Sequence, residues 1–227
     1  RGGGQKLARS SWYQRFDEIF ERLMAKLSER ALALARAQKM DLPGILGGVT
    51  DWLIVDSTTA KMRDALKGSW PGTGDYAALK VHQTVSVGCG APIRYTITPA
   101  REHDSKHLDI DESWRGYGLL ADLGYASLAR LRACMANDVS FVIRLKENWK
   151  PKVLSIARGE LTRSFLKGSD LDALVEDGTL NLNGNAVDMD VQLGSGKEAI
   201  TVRLVGVQTD KGYCFFLTNL APKTGPL

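Results

Sequence analysis

Residues 79–98 restrict the fold more than any other stretch. Val81, Gln83, Val85 and Val87 alternate with His82, Thr84 and Ser86; further on, Ile93, Tyr95 and Ile97 alternate with Arg94, Thr96 and Thr98. A two-residue period marks strands, and Gly88-Cys89-Gly90 between the runs supplies a turn, so the spacing predicts a β-hairpin. Two successive strands with no helix between them argue against a doubly wound dinucleotide fold. No G-x-G-x-x-G follows a strand anywhere in the chain.

Upstream of the hairpin, Trp52-Leu53-Ile54-Val55 runs straight into Asp56, which is followed by Ser57-Thr58-Thr59. A short unbroken apolar run reads as a strand buried on both faces, with a buried helix as the alternative on periodicity alone. A buried carboxylate without a partner is too costly to keep. Asp56 is therefore either salt-bridged or holding a metal.

Leu119-Leu120-Ala121-Asp122 repeats the design, and Leu123-Gly124-Tyr125-Ala126 then turns the chain. If the two strands are neighbours in one sheet, their carboxylates converge at one edge and repel unless a cation intervenes. Mg²⁺ suits such a pair, because it takes oxygen ligands and retains waters for substrate phosphates. Two such ions ~3.5–4 Å apart activate a water or a 3′-hydroxyl and stabilise the leaving oxygen of an in-line phosphoryl displacement. A structural salt bridge is the alternative for each Asp taken alone.

The remaining elements follow from period and punctuation. Ser10 or Ser11 caps a long helix whose Trp12, Phe16, Ile19, Phe20, Leu23 and Leu27 form one apolar stripe. The pattern persists to about Gln38, roughly 40 Å at ~1.5 Å per residue, and Leu42-Pro43-Gly44 breaks it. This helix packs on something, and its polar face can meet DNA phosphates. Residues 60–78 read as a long Gly-rich loop with Trp70-Pro71-Gly72 as a turn, made basic by Lys61, Arg63 and Lys67. His103-Asp104-Ser105 opens a short helix, with Asp104 or Ser105 as cap. Ser127 caps another, with Leu128, Leu131 and Met135 facing in and Arg130 and Arg132 facing out. Residues 139–145 form a strand rich in β-branched and aromatic residues. From about Glu147 the texture becomes β-rich, with alternation at Val187, Met189, Val191 and Leu193 and again at Ile200, Val202 and Leu204. Asn183-Gly184 and Asp210-Lys211-Gly212 are turn signals, and residues 213–217 close this part as a strand.

Composition sets limits on function. A chain of 227 residues makes one large domain or two small ones, and its 44% hydrophobic and 25% charged residues are ordinary for a globular protein. No apolar run approaches the ~20 residues that span a bilayer, and no signal-peptide pattern opens the chain. Cys89, Cys134 and Cys214 are widely spaced and odd in number, which fits a reducing compartment and no zinc site. Residues 1–39 carry nine Lys/Arg against four Asp/Glu, whereas residues 40–227 carry 21 against 22. A basic leading segment points to an acidic partner, with nucleic acid as the usual one and a solvated amphipathic helix as the alternative. An opening at Arg1 and not at Met suggests further sequence upstream.

Five stretches in order resemble one family: Val55-Asp56-Ser57-Thr58-Thr59, Ala78-Leu79-Lys80-Val81-His82, His103-Asp104-Ser105, Ala121-Asp122-Leu123-Gly124-Tyr125 and Leu217-Thr218-Asn219-Leu220. They look like the motifs of DDE transposases, most closely bacterial insertion-sequence transposases of the IS4/IS5 type, from about residue 10 to the last residue. The resemblance implies an α/β fold: an RNase H-like mixed sheet with flanking helices and a β-rich insertion. It implies a basic amphipathic helical segment over 1–44, the first part of the catalytic core over 45–146, the insertion over 147–212 and a return strand over 213–227. By motif, Asp56 and Asp122 take the places of the family's two aspartates, as catalytic and metal ligands for Mg²⁺ or Mn²⁺. His103 falls near that site or serves as a cap. Lys61, Arg63, Lys80, Arg130, Arg144 and Lys146 are candidates for DNA phosphates, with a solvated or salt-bridged role as the alternative for Lys80, Arg144 and Lys146. Trp149 is a candidate for stacking on a flipped base, with a core or hairpin role as the alternative.

The family's third ligand is a Glu in the pattern Tyr-x2-Arg-x3-Glu-x6-Lys on a helix after the insertion. Three residues after Tyr13, Tyr76, Tyr95, Tyr117, Tyr125 and Tyr213 come Phe, Leu, Thr, Leu, Leu and Phe, never Arg. Glu160, Asp188, Asp190 and Glu198 sit in hairpin-like stretches and read as solvated strand faces, and Glu147 follows its strand too closely. The resemblance therefore implies a fragment that ends ahead of the third carboxylate and is inactive alone. Its implied function is Mg²⁺-dependent cleavage and strand transfer at transposon ends. The partners would be double-stranded DNA of ends and target and further copies in a synaptic complex, with no membrane, in the bacterial cytoplasm at the nucleoid. Another RNase H-like DNA endonuclease, or a non-catalytic DNA-binding remnant of a mobile element, are the alternatives. Terminal repeats, target preference and the excision route leave no trace in the residues.

Overall fold

The computed structural model describes residues 17–38, 40–42, 48–183, 186–210 and 212–222. Helix α1 (Glu18–Ala37) is followed by β1 (Trp52–Lys61), β2 (Ala78–Ser86) and β3 (Ala91–Pro99), each antiparallel to its predecessor. β4 (Gly118–Ala121), α2 (Leu128–Ala136) and β5 (Ser140–Arg144) come next, with β4 parallel to both β1 and β5. The spatial order β3-β2-β1-β4-β5 with this mix of directions is the RNase H-like sheet.

The rest of the chain builds β6 (Lys152–Arg158), β7 (Glu160–Leu161), β8 (Ser169–Asp170), α3 (Leu171–Glu176), β9 (Leu180–Asn181), β10 (Val187–Leu193), β11 (Ile200–Thr209) and β12 (Gly212–Thr218). β7 pairs with β9 alone, while the others continue the first sheet as β5-β12-β11-β10-β6-β8, ten strands in all among the described residues. The join is made by β12 against β5, and Asn219 reinforces it. Its Nδ2 donates to the Val139 carbonyl at 2.9 Å and its Oδ1 accepts from the Phe141 amide at 2.9 Å. The β-rich part is thus an extension of the same sheet. The short helix α3, which buries Leu171 and Leu174, has no counterpart in the sequence reading.

One face of the central strands is sealed. Leu53, Val55, Leu119, Phe141 and Ile143 are buried with Tyr125, Leu131 and Cys134 from the segment that crosses from β4 to β5. On the other face, Ile54 is 39% exposed, and it lines an open groove with Leu120, Val142 and Phe216. The expectation that β1 is buried on both faces is therefore corrected: the apolar run alternates in its surroundings although not in its chemistry. Gly118 is required where β4 starts beside Trp52, since a Cβ there would stand 2.4 Å from the indole ring.

The hairpin lies where the alternation put it, but its polar side points inward. Lys80, His82, Thr84 and Ser86 are buried, while Val81 and Val85 on the other side are only half-buried. The stretch after β1 is closed by backbone bonds from the Met62 amide to the Ala77 carbonyl and from the Ala78 amide to the Trp70 carbonyl, at 2.8 and 2.9 Å.

Helix α1 ends as expected, at Ala37, and Asp17 caps its start by accepting from the Phe20 amide at 2.9 Å. Ser10, Ser11, Trp12 and Phe16 lie outside the described residues, as do Pro43, Gly44, Gly184 and Lys211. The helix and the hairpin line one cavity, with Ser28, Ala31, Leu32 and Ala35 on one side and Val81, Pro92 and Tyr95 on the other, and Arg36 donates to the Ile93 carbonyl. Three residues of the apolar stripe stay outside it: Ile19, Leu23 and Leu27 are 71%, 51% and 53% exposed.

Candidate functional site

Asp56 and Asp122 are neighbours across the sheet. Val55 stands opposite Ala121 in the parallel β1–β4 ladder, so each Asp is the next residue on its own strand. Adjacent strands are about 4.8 Å apart, which brings the two carboxylates to one edge. Both side chains line the same groove, with Ile54, Leu120, Val142 and Phe216 as an apolar floor and Arg144 at the end of β5. Parallel strands in an α/β sheet present ligands at their carboxyl ends, and this groove opens there.

Neither Asp is a buried charge. Asp56 is exposed, and one of its oxygens accepts from the Ser57 amide at 2.7 Å. Asp122 is exposed too; it holds the cap position of the short 3-10 helix Leu123–Tyr125, yet its side chain makes no capping bond. The reading of Asp56 as a buried carboxylate in need of a partner is corrected accordingly. Two exposed carboxylates in one cleft fit a hydrated Mg²⁺ or Mn²⁺, which needs few protein oxygens. Among the described residues no group of three or more His, Cys, Asp or Glu is placed to hold an ion.

Behind this edge, on the sealed side of the sheet, lies a polar cluster that the sequence reading did not assemble. Asp104 Oδ1 accepts from Ser57 Oγ at 3.0 Å and from Lys80 Nζ at 2.9 Å, and Lys80 also donates to the Glu102 carbonyl at 2.9 Å. His82 is bracketed by Tyr125 Oη and Thr98 Oγ1, each at 3.1 Å, and its ring lies 4.3 Å from that of His107. His107 in turn meets Glu102 at 3.0 Å. Burial pushes the Tyr125 phenol up to about 12, against the pull of Ser57. Burial would raise Asp104, but hydrogen bonds from Lys80 and Ser57 hold it below the ordinary carboxylate value. The signal for this cluster was present as Lys80, His82, Thr84 and Ser86 at every second position, a polar face on a strand that needed one.

His82 gives the cluster a pH dependence. Burial, then the nearby His107 and Lys80, lower its pKa below the ordinary value, while Asp104 and Glu102 oppose this. A His depressed in the fold contributes stability that is fully present above the unfolded value of ~6.5 and is lost as pH falls through the folded value. The thermal midpoint is expected to fall between about pH 7 and about pH 5, and His82→Gln to flatten that slope. An unchanged slope in the variant would place the acid sensitivity elsewhere. Asp104 acts in a lower window: its contribution is present above the unfolded value of ~3.9 and lost as pH falls through its depressed folded value.

The other sequence candidates separate by burial. Lys80 is only 9% exposed and paired with Asp104, so it serves the interior and not a phosphate. Arg130 is 8% exposed, and its guanidinium donates to the carbonyls of Leu108, Tyr125 and Ser105. Both are corrected as DNA contacts. Met135 takes the outer position expected of Arg130, at 43% exposed. Lys61 and Arg63 are exposed beyond the edge that carries Asp56 and Asp122, Lys61 resting 5.0 Å from the Tyr76 ring centre. Lys146 lies 5.9 Å from the ring of Trp149, which is half-buried against the core. His103, and not Asp104 or Ser105, caps the helix Asp104–His107: its Nδ1 accepts from the Ser105 amide at 3.2 Å.

The model of the transposase DDE domain family matches residues 48–184, and the chain belongs to that family. Among solved structures it is similar to a piggyBac transposase in a synaptic complex with hairpin DNA, at 12% identity and a TM-score of 0.40, over 82% of this chain and 35% of that one. It is also similar to endonuclease V of Streptomyces avermitilis, at 10% identity and a TM-score of 0.27, over 85% of this chain and 75% of that one. The chain spans about a third of the length of that piggyBac transposase, at 35%. No curated protein matches it. Among the described residues no helix is long and apolar enough to cross a membrane.

Proposed function

We propose that the chain supplies two of the metal-holding carboxylates of a DNA transposase of the insertion-sequence type, acting on transposon ends and target. One observation carries the reading: Asp56 and Asp122 stand side by side, exposed, at the edge of one groove. In this reading they would hold Mg²⁺ or Mn²⁺, which would activate a water or the 3′-hydroxyl of a DNA strand and neutralise charge on the leaving oxygen of a phosphodiester. The remaining work falls to the chain. Arg144, exposed at the same groove, binds the phosphate by a charge-assisted fork. Lys61 and Arg63 follow the backbone of the duplex away from the cut. The apolar floor of Ile54, Leu120, Val142 and Phe216 keeps water from one side of the pair.

The proposal carries the segment division with it: a leading helical segment to residue 44, a core to 146, a β-rich extension to 212 and a return strand beyond. Double-stranded DNA and further copies of the protein are the partners, and a bacterial cytoplasm at the nucleoid is the setting. Titrating Mn²⁺ into the protein is expected to broaden the amide resonances at Asp56 and Asp122 before all others. First broadening at a site remote from the groove would remove the metal assignment.

A further inference from the structure

The carboxylate of Asp104 lies between strand β1, beside Asp56, and the turn that follows Asp122. Its Oδ1 holds Ser57, the residue after Asp56, at 3.0 Å. Its Oδ2 faces Gly124, the second residue after Asp122: a Cβ built on that glycine would stand 3.1 Å from the oxygen. One side chain therefore bonds to β1 and abuts the turn after Asp122, from the side of the sheet opposite the groove. It is anchored from β2 by Lys80 at 2.9 Å, and Lys80 is tied in turn to the Glu102 carbonyl just upstream.

We infer that Asp104 is a positioning residue, a brace that sets the separation of Asp56 and Asp122 by holding Ser57 on one side and seating Gly124 on the other. The inference rests on the reading of the two aspartates as ligands. Mg²⁺ and Mn²⁺ tolerate little error in ligand placement, so a shift of a few tenths of an ångström between β1 and that turn weakens binding without removing a ligand. Gly124 fits this role, because any side chain there would press on the Asp104 carboxylate.

The test is Mn²⁺ affinity of the intact protein, read by electron paramagnetic resonance alongside thermal unfolding. Asp104→Asn keeps the size and the contact with Ser57 but loses the charge that holds Lys80. It is expected to weaken Mn²⁺ by about tenfold, the low end for groups that orient metal ligands from behind. Gly124→Ala leaves every charge in place and is expected to weaken Mn²⁺ in the same direction by less, so it carries the test should Asp104→Asn fail to fold. Val191→Ala, in the β10 core, is expected to lower the thermal midpoint with no change in Mn²⁺ affinity. Affinity losses that merely track the midpoint in all three variants overturn the brace. Unchanged affinity in Asp104→Asn and Gly124→Ala overturns it too, and leaves the ligand reading standing if Asp56→Asn still abolishes binding. Unchanged affinity in Asp56→Asn removes both.

Discussion

Asp56→Asn and Asp122→Asn are each expected to abolish saturable Mn²⁺ binding and, in a full-length version that carries the third carboxylate, to reduce metal-dependent strand cleavage on the order of 10³-fold. The size follows from what a metal contributes to phosphoryl displacement, several kcal/mol, at about 1.4 kcal/mol per tenfold in rate. Asn matches Asp in shape, so what each change removes is charge. Both residues are exposed, and β1 keeps its backbone register whatever side chain stands at 56. Stability is therefore expected to stay within about 0.5 kcal/mol of wild type. Wild-type Mn²⁺ affinity or undiminished cleavage in either variant would sink the assignment. A loss of activity accompanied by a large loss of stability would point instead to a structural role for the carboxylate.

Arg130→Met is expected to behave in the opposite way, with a large loss of stability and little change in DNA affinity. The guanidinium donates to Leu108 O at 2.6 and 3.0 Å and to Ser105 O at 2.6 Å, and it also reaches Tyr125 O. Met fills much of the space and leaves three carbonyls without their donor. At ~1–3 kcal/mol for each buried group left unmatched, with partial relaxation, the cost is about 3–5 kcal/mol. That corresponds to a fall of about 10 °C in the thermal midpoint for a protein of this size. If Arg130 touched a phosphate, its removal would instead lower the salt dependence of DNA binding by about one charge and spare the midpoint. The two outcomes are measured on the same variant.

Arg130 also illustrates where reading from sequence stops. Helix α2 has nine residues, too few turns to define a face from spacing alone. A long charged side chain was placed outward because that is the usual fate of Arg; here it closes over backbone carbonyls that precede the helix. The β2 strand shows a related limit. Its period was plain, but period separates two faces without saying which is inside. The inner face proved polar because it meets Asp104 and Tyr125, both outside the hairpin. In β1 the limit is chemical: Ile54 is as apolar as Leu53 and Val55, so nothing in the residues marks it as the open side.

What was legible had local causes. The hairpin, the Ser127 cap and the passage from strand to Asp to turn at Asp122 all lie within short windows. At Asp56 the expected turn is replaced by a strand that runs on to Lys61, held there by its pairing with β2. The adjacency of β1 and β4 does not follow from either stretch alone, since strand neighbours are set by packing across the whole chain. The continuity of the sheet was out of reach for the same reason, because β5 finds its partner in β12, far along the sequence. For the leading helix, amphipathic spacing gave the element, but the stripe it defined is not the surface that meets the hairpin.

The seam between β5 and β12 bears on the order in which the protein comes into being. A ribosome releases β1 to β5 first, and these strands are able to pair among themselves as soon as they emerge. The outer edge of β5 then waits, its amides and carbonyls unanswered, while β6 to β11 are made. β12 satisfies it, through Phe216, Leu217 and Thr218, and Asn219 just beyond it answers the Phe141 amide. An open strand edge is a site of wrong pairing, and distant pairings form slowly. The nascent chain is thus most exposed to self-association in the interval between the synthesis of Arg144 and that of Thr218.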